Sequence, residues 1–113
     1  MNLEKLLKDG LKVPSVSAFA PIIPPCFTWN RITEDPGLTG NGGETETVVQ
    51  LQIDVWGRKR GDVVNMARLA KRLIVAEPYT TVPVISYGYD VNGKLWRGTI
   101  NFSNIEEDEN GSK

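Results

Sequence analysis

Between Glu44 and Val75 the hydrophobic period of this chain changes once, and that change sets what the chain can fold into. Thr45, Thr47, Val49, Leu51, Ile53 and Val55 point to one side of an extended backbone. Glu46, Gln50, Gln52 and Asp54 point to the other, with Val48 the sole apolar exception. Strict alternation over this length predicts a strand with one face on a core and one toward water. Trp56 and Gly57 close it, and Arg58-Lys59-Arg60-Gly61 reads as a short basic turn. Asp62 stands where a helix N-cap is needed. Beyond it Val63, Met66, Ala67, Ala70, Leu73 and Ile74 recur at helical spacing, with Asn65, Arg68, Lys71 and Arg72 on the opposite side. A long strand, a tight basic turn and an amphipathic helix make one unit.

The flanking segments fit around that unit. Leu3, Leu6, Leu7 and Leu11 form an apolar stripe, and Gly10 is placed to end a first helix of about two turns. Such a helix is too short to stand alone, so it must dock. Val13 to Pro25 carries four of the seven prolines and reads as an extended edge or connector. Cys26 to Thr33 alternates, with Phe27 and Trp29 sharing a face, and predicts a strand. Glu34 to Gly43 holds four glycines and a proline and is expected to be a mobile loop at the tip of a long hairpin. After the break at Glu77-Pro78-Tyr79, Val82 to Tyr89 predicts a strand, and Asn92-Gly93 marks a hairpin turn. Its partner, Leu95 to Phe102, places Trp96, Gly98, Ile100 and Phe102 on one side. Ile105 reads as the last core residue. Glu106 to Lys113 reads as an acidic disordered tail. The expected fold is α+β: a two-layer sandwich, with a sheet of about four strands and two helices packed on one face, in a single domain over residues 1–105.

A chain of 113 residues has room for one core, and 40% hydrophobic with 24% charged residues is ordinary for a globular domain. A net charge of −1 argues against a protein held on nucleic acid by overall charge, and no apolar run approaches the roughly 20 residues that cross a bilayer. The start Met1-Asn2-Leu3-Glu4-Lys5 has no signal-peptide core, and the single cysteine forbids an intrachain disulfide. A reducing cytoplasm is the expected compartment.

The sequence contains no histidine, which removes the commonest general base and the commonest transition-metal ligand. Cys26 then lacks the usual partner of a nucleophilic thiol, and a buried structural role is expected. The acids Glu34, Asp35, Glu44 and Glu46 are ordinary loop and strand-end carboxylates. Gly40-Asn41-Gly42-Gly43 precedes a strand, whereas a phosphate cradle feeds a helix. Neither catalytic chemistry nor a cofactor nor a metal is expected. The basic set Arg58, Lys59, Arg60, Arg68, Lys71 and Arg72 admits three readings. It is a solvated helix face, a nucleic-acid surface with Trp56 as stacking platform, or a contact with an acidic face of another subunit, for which Glu106 and Glu107 are candidates. Tyr87 and Tyr89 share a strand face and are a candidate aromatic interface patch.

The segment Val49-Gln50-Leu51-Gln52-Ile53-Asp54-Val55-Trp56-Gly57, its basic turn and the helix Val63-Val64-Asn65-Met66-Ala67-Arg68-Leu69-Ala70 resemble the small tail-completion proteins of long-tailed phages and prophages, also called tail terminators or tail-to-head joining proteins. The order of the rest is similar: a leading helix, a proline-containing connector, an aromatic strand near Phe27 and Trp29, and a late strand at Trp96 to Ser103. The resemblance implies a small sheet with helices packed on it. It also implies a homo-oligomeric, hexameric ring that caps the tail tube, stops its growth and gives the head connector a docking surface. The implied partners are further copies of the chain, the tail tube protein and the head–tail connector protein, without membrane or sequence-specific nucleic acid. The implied location is the virion tail, assembled in the host cytoplasm. The loop with Leu38 and Asn41 is then expected to face the ring lumen or a neighbouring ring. The alternatives are a nucleic-acid-binding module using Trp56 and Arg58 to Arg60, or a head–neck adaptor.

Overall fold

The computed structural model describes residues 2–16, 20–36 and 46–107, with side chains throughout except at 33–36, 46, 106 and 107. Two helices and four strands follow one another as α1 (Leu3–Leu11), β1 (Cys26–Pro36), β2 (Glu46–Gly57), α2 (Arg60–Val75), β3 (Val84–Asp90) and β4 (Leu95–Glu107). The strands form one antiparallel sheet in the order β1-β2-β4-β3. Two hairpins, β1–β2 and β3–β4, therefore meet along β2 and β4. Strands β2 and β3 run parallel with β4 between them, and α2 makes the crossover that joins them. The expected α+β arrangement, with a four-stranded sheet left open rather than closed into a barrel, is what the chain adopts.

The period change fixes the core. Val49, Leu51, Ile53 and Val55 are buried from β2, and Val63, Ala67, Ala70 and Ile74 from α2, in one cluster with Phe27, Ile100 and Phe102. Helix α2 packs on the two central strands, and α1 packs beside it, burying Leu3, Leu7 and Leu11 in the same cluster. Each such leucine contributes roughly 1.5–3 kcal/mol when fully buried, which offsets the instability of so short a helix.

Element ends differ from expectation in several places. Helix α1 does not stop at Gly10; it runs to Leu11, and Lys12 caps it in the left-handed region at φ 58°. Gly10 has a packing role instead, because a Cβ there would overlap Leu73 Cδ1 of α2. At the other end Asn2 accepts a hydrogen bond from the Lys5 backbone N–H at 3.1 Å. Helix α2 starts at Arg60, two residues before the expected cap, with Lys59 at the N-cap position and no side-chain cap bond. Asp62 sits inside the first turn, where its charge favours the helix dipole. Strand β1 reaches Pro36 rather than Thr33, with a bulge between Arg31 and Thr33, and β2 runs from Glu46 to Gly57, the expected start at residues 44–45 lying outside the described residues. Residues 34–36 of the expected loop are thus strand, and its remainder lies outside the described residues.

The second hairpin turns through four residues, Val91 to Lys94, with the expected Asn92-Gly93 pair at their centre. Asp90 accepts the Asn92 N–H at 3.1 Å, and Lys94 takes φ 54°. Strand β3 starts at Val84, and β4 continues through Glu106 and Glu107, which pair with Thr47 and Glu46. Two residues assigned to the acidic tail are therefore strand backbone. Ile105 is also not core: it is 41% exposed, while Asn104, opposite Val49, is 3% exposed and donates to the Tyr79 carbonyl at 3.2 Å. Alternation along β4 makes the exchange inevitable, since Ile100, Phe102 and Asn104 share a face that Ile105 cannot.

Candidate assembly surfaces

The basic residues do not converge. Arg58 and Lys59 occupy the turn between β2 and α2, and Arg60 opens the helix. Arg68, Lys71 and Arg72 lie two turns or more further on, roughly 12 Å along the axis from Arg60 to Arg68. Arg68 and Arg72 are exposed and Lys71 is half-buried. Beside the first group lies an open cleft of about 500 Å³, lined by Pro24, Pro25, Arg58, Lys59, Asp62 and Met66 among others. The proline connector thus walls one flank of α2, the flank of Met66 and Asp62.

Trp56 is not a free platform beside that turn. Alternation puts it on the uncovered face of the sheet, opposite Cys26 on β1 and Arg97 on β4. Its indole N–H donates to the Thr28 hydroxyl at 3.4 Å, and the Arg97 guanidinium sits 5.8 Å from its ring centre, within cation–π range. Next to this pair, Asp54 is only 8% exposed although no helix covers it. Its carboxylate accepts from the Thr99 hydroxyl at 2.7 Å and from the Gln52 amide at 3.3 Å. Side chains of three strands shield it, so the face expected to be simply solvated carries a connected polar network. The sequence signal for this was the Thr-Asp-Thr register across β1, β2 and β4, which is readable only once the pairing is known.

Cys26 is fully buried, and burial pushes its thiol pKa up against a smaller lowering by a backbone hydrogen bond at Ile23. Among the described residues no three His, Cys, Asp or Glu side chains converge as a metal site, and no helix is long and apolar enough to cross a membrane.

Tyr87 and Tyr89 do share a face. They point to the helix side of the sheet, opposite Gly98 and Trp96, yet they are 39% and 47% exposed. The Tyr89 ring packs on Trp96 with centres 5.1 Å apart. They stay exposed because α2 packs on β2 and β4 with α1 beside it, so that on edge strand β3 Ile85 packs against the core cluster while the two tyrosines lie beyond it. No family model matches this chain. Nor does any curated protein.

The same margin collects most other exposed apolar side chains. Val75, Tyr79, Val82, Val84 and Val91 are all more than half exposed and lie on β3, in the segment leading into it, in the turn after it, or at the end of α2. Ile105 adds to them from the neighbouring end of β4. Apart from Ile23 and Ile32, every large exposed hydrophobic side chain among the described residues belongs to this set. The approach to β3 is itself pinned: Ile105 N–H donates to the Tyr79 carbonyl at 2.9 Å and Thr81 N–H to the Ser103 carbonyl at 2.9 Å, holding Tyr79 at φ 62°. Sequence reading found the tyrosines but not Tyr79, Val82, Val84 or Ile105. Leu38 and Asn41 lie outside the described residues, and Glu106 and Glu107 are described only as strand backbone.

Proposed function

We propose that this protein is a structural subunit of a viral tail, forming a homo-oligomeric ring that caps the tail tube, stops its growth and offers a docking surface to the head connector. The observation that carries an assembly role is the concentration of exposed apolar side chains on the β3 margin. A concentration of exposed apolar side chains along one margin is a burden on a monomer and an asset to a subunit. The resemblance of the central strand–turn–helix to tail-completion proteins supplies which assembly. An open sheet with two helices on one face agrees with the architecture that resemblance implies. Ring closure needs two different complementary surfaces per subunit, and the exposed arginines of α2 supply a charged one.

Electron microscopy of particles from a virus or prophage lacking this gene tests the reading. Overlong, headless tails are the expected product. Tails of normal length without heads would restrict the role to joining or a neck adaptor, and intact infectious particles would overturn it. Charge reversal at Arg68 and Arg72 should weaken assembly in low salt more than in high salt, where exposed charges are screened.

A further inference from the structure

The two edges of the sheet are treated differently. The outer edge of β1 is protected at its start by the connector: the Val16 N–H donates to the Phe27 carbonyl at 2.8 Å, and the Phe27 N–H to the Pro14 carbonyl at 3.0 Å. Further along it carries the exposed Arg31, a bulge, and Pro36 at its end. These are the devices that keep an edge from pairing. The outer edge of β3 has neither the cover nor the bulge, and its one charge, Asp90, and the neighbouring Pro83 stand only at its two ends. Val84-Ile85-Ser86-Tyr87-Gly88-Tyr89-Asp90 contains no proline, no lysine and no bulge, and no other described segment pairs with its outer side.

We infer that the outer edge of β3 is a strand-pairing site for a second copy of this chain, with two copies joining β3 to β3 antiparallel about a two-fold axis at Tyr87. Tyr87 is the middle residue of the strand, so this register uses its whole length. It sets Ile85 opposite the partner copy's Tyr89, and Tyr87 opposite its own counterpart, all on the helix side. Aromatic pairs and aromatic–β-branched pairs are the favourable cross-strand combinations. On the other face Ser86 meets Gly88 and Val84 meets Asp90, so no two like charges stand opposite each other.

The basic helices do not oppose the union. Helix α2 rests on β2 and β4, so in the joined sheet the two α2 axes lie about four strand spacings apart, roughly 19 Å. That is about twice the Debye length of about 8 Å at physiological salt, and wider than a helix-packing distance of about 10 Å. The helices neither repel strongly nor clash, and the tyrosines of both copies floor the trough between them. A second copy fits better than the β1 edge of another molecule, because β1 is already guarded. The pairing shares the exposed β3 margin with the assembly reading but does not rest on the tail resemblance, and a two-fold contact joins copies in pairs without by itself closing a ring.

Sedimentation velocity of the purified chain from low to high micromolar concentration is expected to show a monomer–dimer equilibrium. Tyr87→Lys places two ammonium groups face to face at the axis and should abolish the dimer; Tyr87 is exposed enough for the fold to accept it. Tyr87→Cys should give a disulfide-linked dimer under mild oxidation, because facing residues of an antiparallel pair have Cα atoms about 4.5–5.5 Å apart, within disulfide reach. The wild type should not cross-link, since Cys26 is fully buried, and neither should Asn101→Cys, on exposed β4 surface away from the edge. A monomer at every concentration, self-association unchanged by Tyr87→Lys, or cross-linking of Asn101→Cys as fast as Tyr87→Cys would each overturn the proposal. Should Tyr87→Lys fail to fold, the two cysteine variants decide. None of these outcomes bears on the tail phenotype of a gene deletion.

Discussion

Gly98→Ala tests the packing of α2 on the sheet through a single methyl group. Gly98 lies on β4 opposite Val55 and Tyr87, facing the helix. A Cβ built there would stand 3.0 Å from Val55 Cγ2, 3.0 Å from Val63 Cγ1 and 3.3 Å from Ala67 Cβ. All three neighbours are fully buried. Val63 on its helix has one strongly preferred rotamer, and the Ala67 methyl is fixed to the backbone of α2, so neither can swing aside. Replacing a strand-interior glycine by alanine normally gains about 0.5–1 kcal/mol, whereas overpacking a tight core costs about 1–3 kcal/mol. With stiff neighbours on both sides the cost wins, and a net loss of about 1–2 kcal/mol is expected. For a urea slope of about 1.5 kcal/mol/M this lowers the midpoint by roughly 0.7–1.3 M, read by circular dichroism. Val63→Ala removes one of the colliding methyls. In that background Gly98→Ala should cost less by about 0.5 kcal/mol or more, a coupling that contacting residues show and distant ones do not. A Gly98→Ala protein as stable as wild type, or strict additivity with Val63→Ala, would refute the reasoning.

Two further outcomes follow from the buried polar groups. Thr99→Val removes the 2.7 Å hydrogen bond to Asp54 and leaves a nearly buried carboxylate short of a donor; a loss of about 1.5–3 kcal/mol is expected from urea unfolding, and Asp54→Asn should shrink it. For Cys26 the folded pKa lies above the unfolded value near 9.0 because burial disfavours the thiolate. Its contribution to stability is therefore complete below that value and is lost as pH rises toward the folded pKa. The urea midpoint of wild type should fall more steeply above pH 9 than that of Cys26→Ala, and parallel profiles would remove this group from the account.

Local order was legible wherever a period or a breaker wrote it into the chain. The alternation from Thr47 to Val55 and the helical recurrence from Val63 to Ile74 each reflect where successive Cβ atoms point, a property of the backbone alone. Those two patterns, with the proline connector and the glycine breaks, were enough for an α+β sandwich with helices on one face. Which residue ends an element was less legible. Gly10 has the composition of a helix stop, but its lack of a side chain serves the approach of Leu73, a contact sixty-odd positions away in the sequence. Asp62 has the composition of a cap, yet α2 starts earlier, at Arg60.

Exposure was decided by the tertiary structure. Tyr87 and Tyr89 carry the same pattern as Ile100 and Phe102, and all four face the helix layer. Ile100 and Phe102 are buried because they stand on a central strand, under the helices, whereas the tyrosines stand on an edge the helices do not cover. Asp54 lies on the face that alternation assigns to water, and pairing with Thr28 and Thr99 on the flanking strands encloses it. Sequence periodicity tells which way a side chain points. Strand order and the finite width of two helices determine what it meets there, and these depend on pairings between residues far apart in the chain.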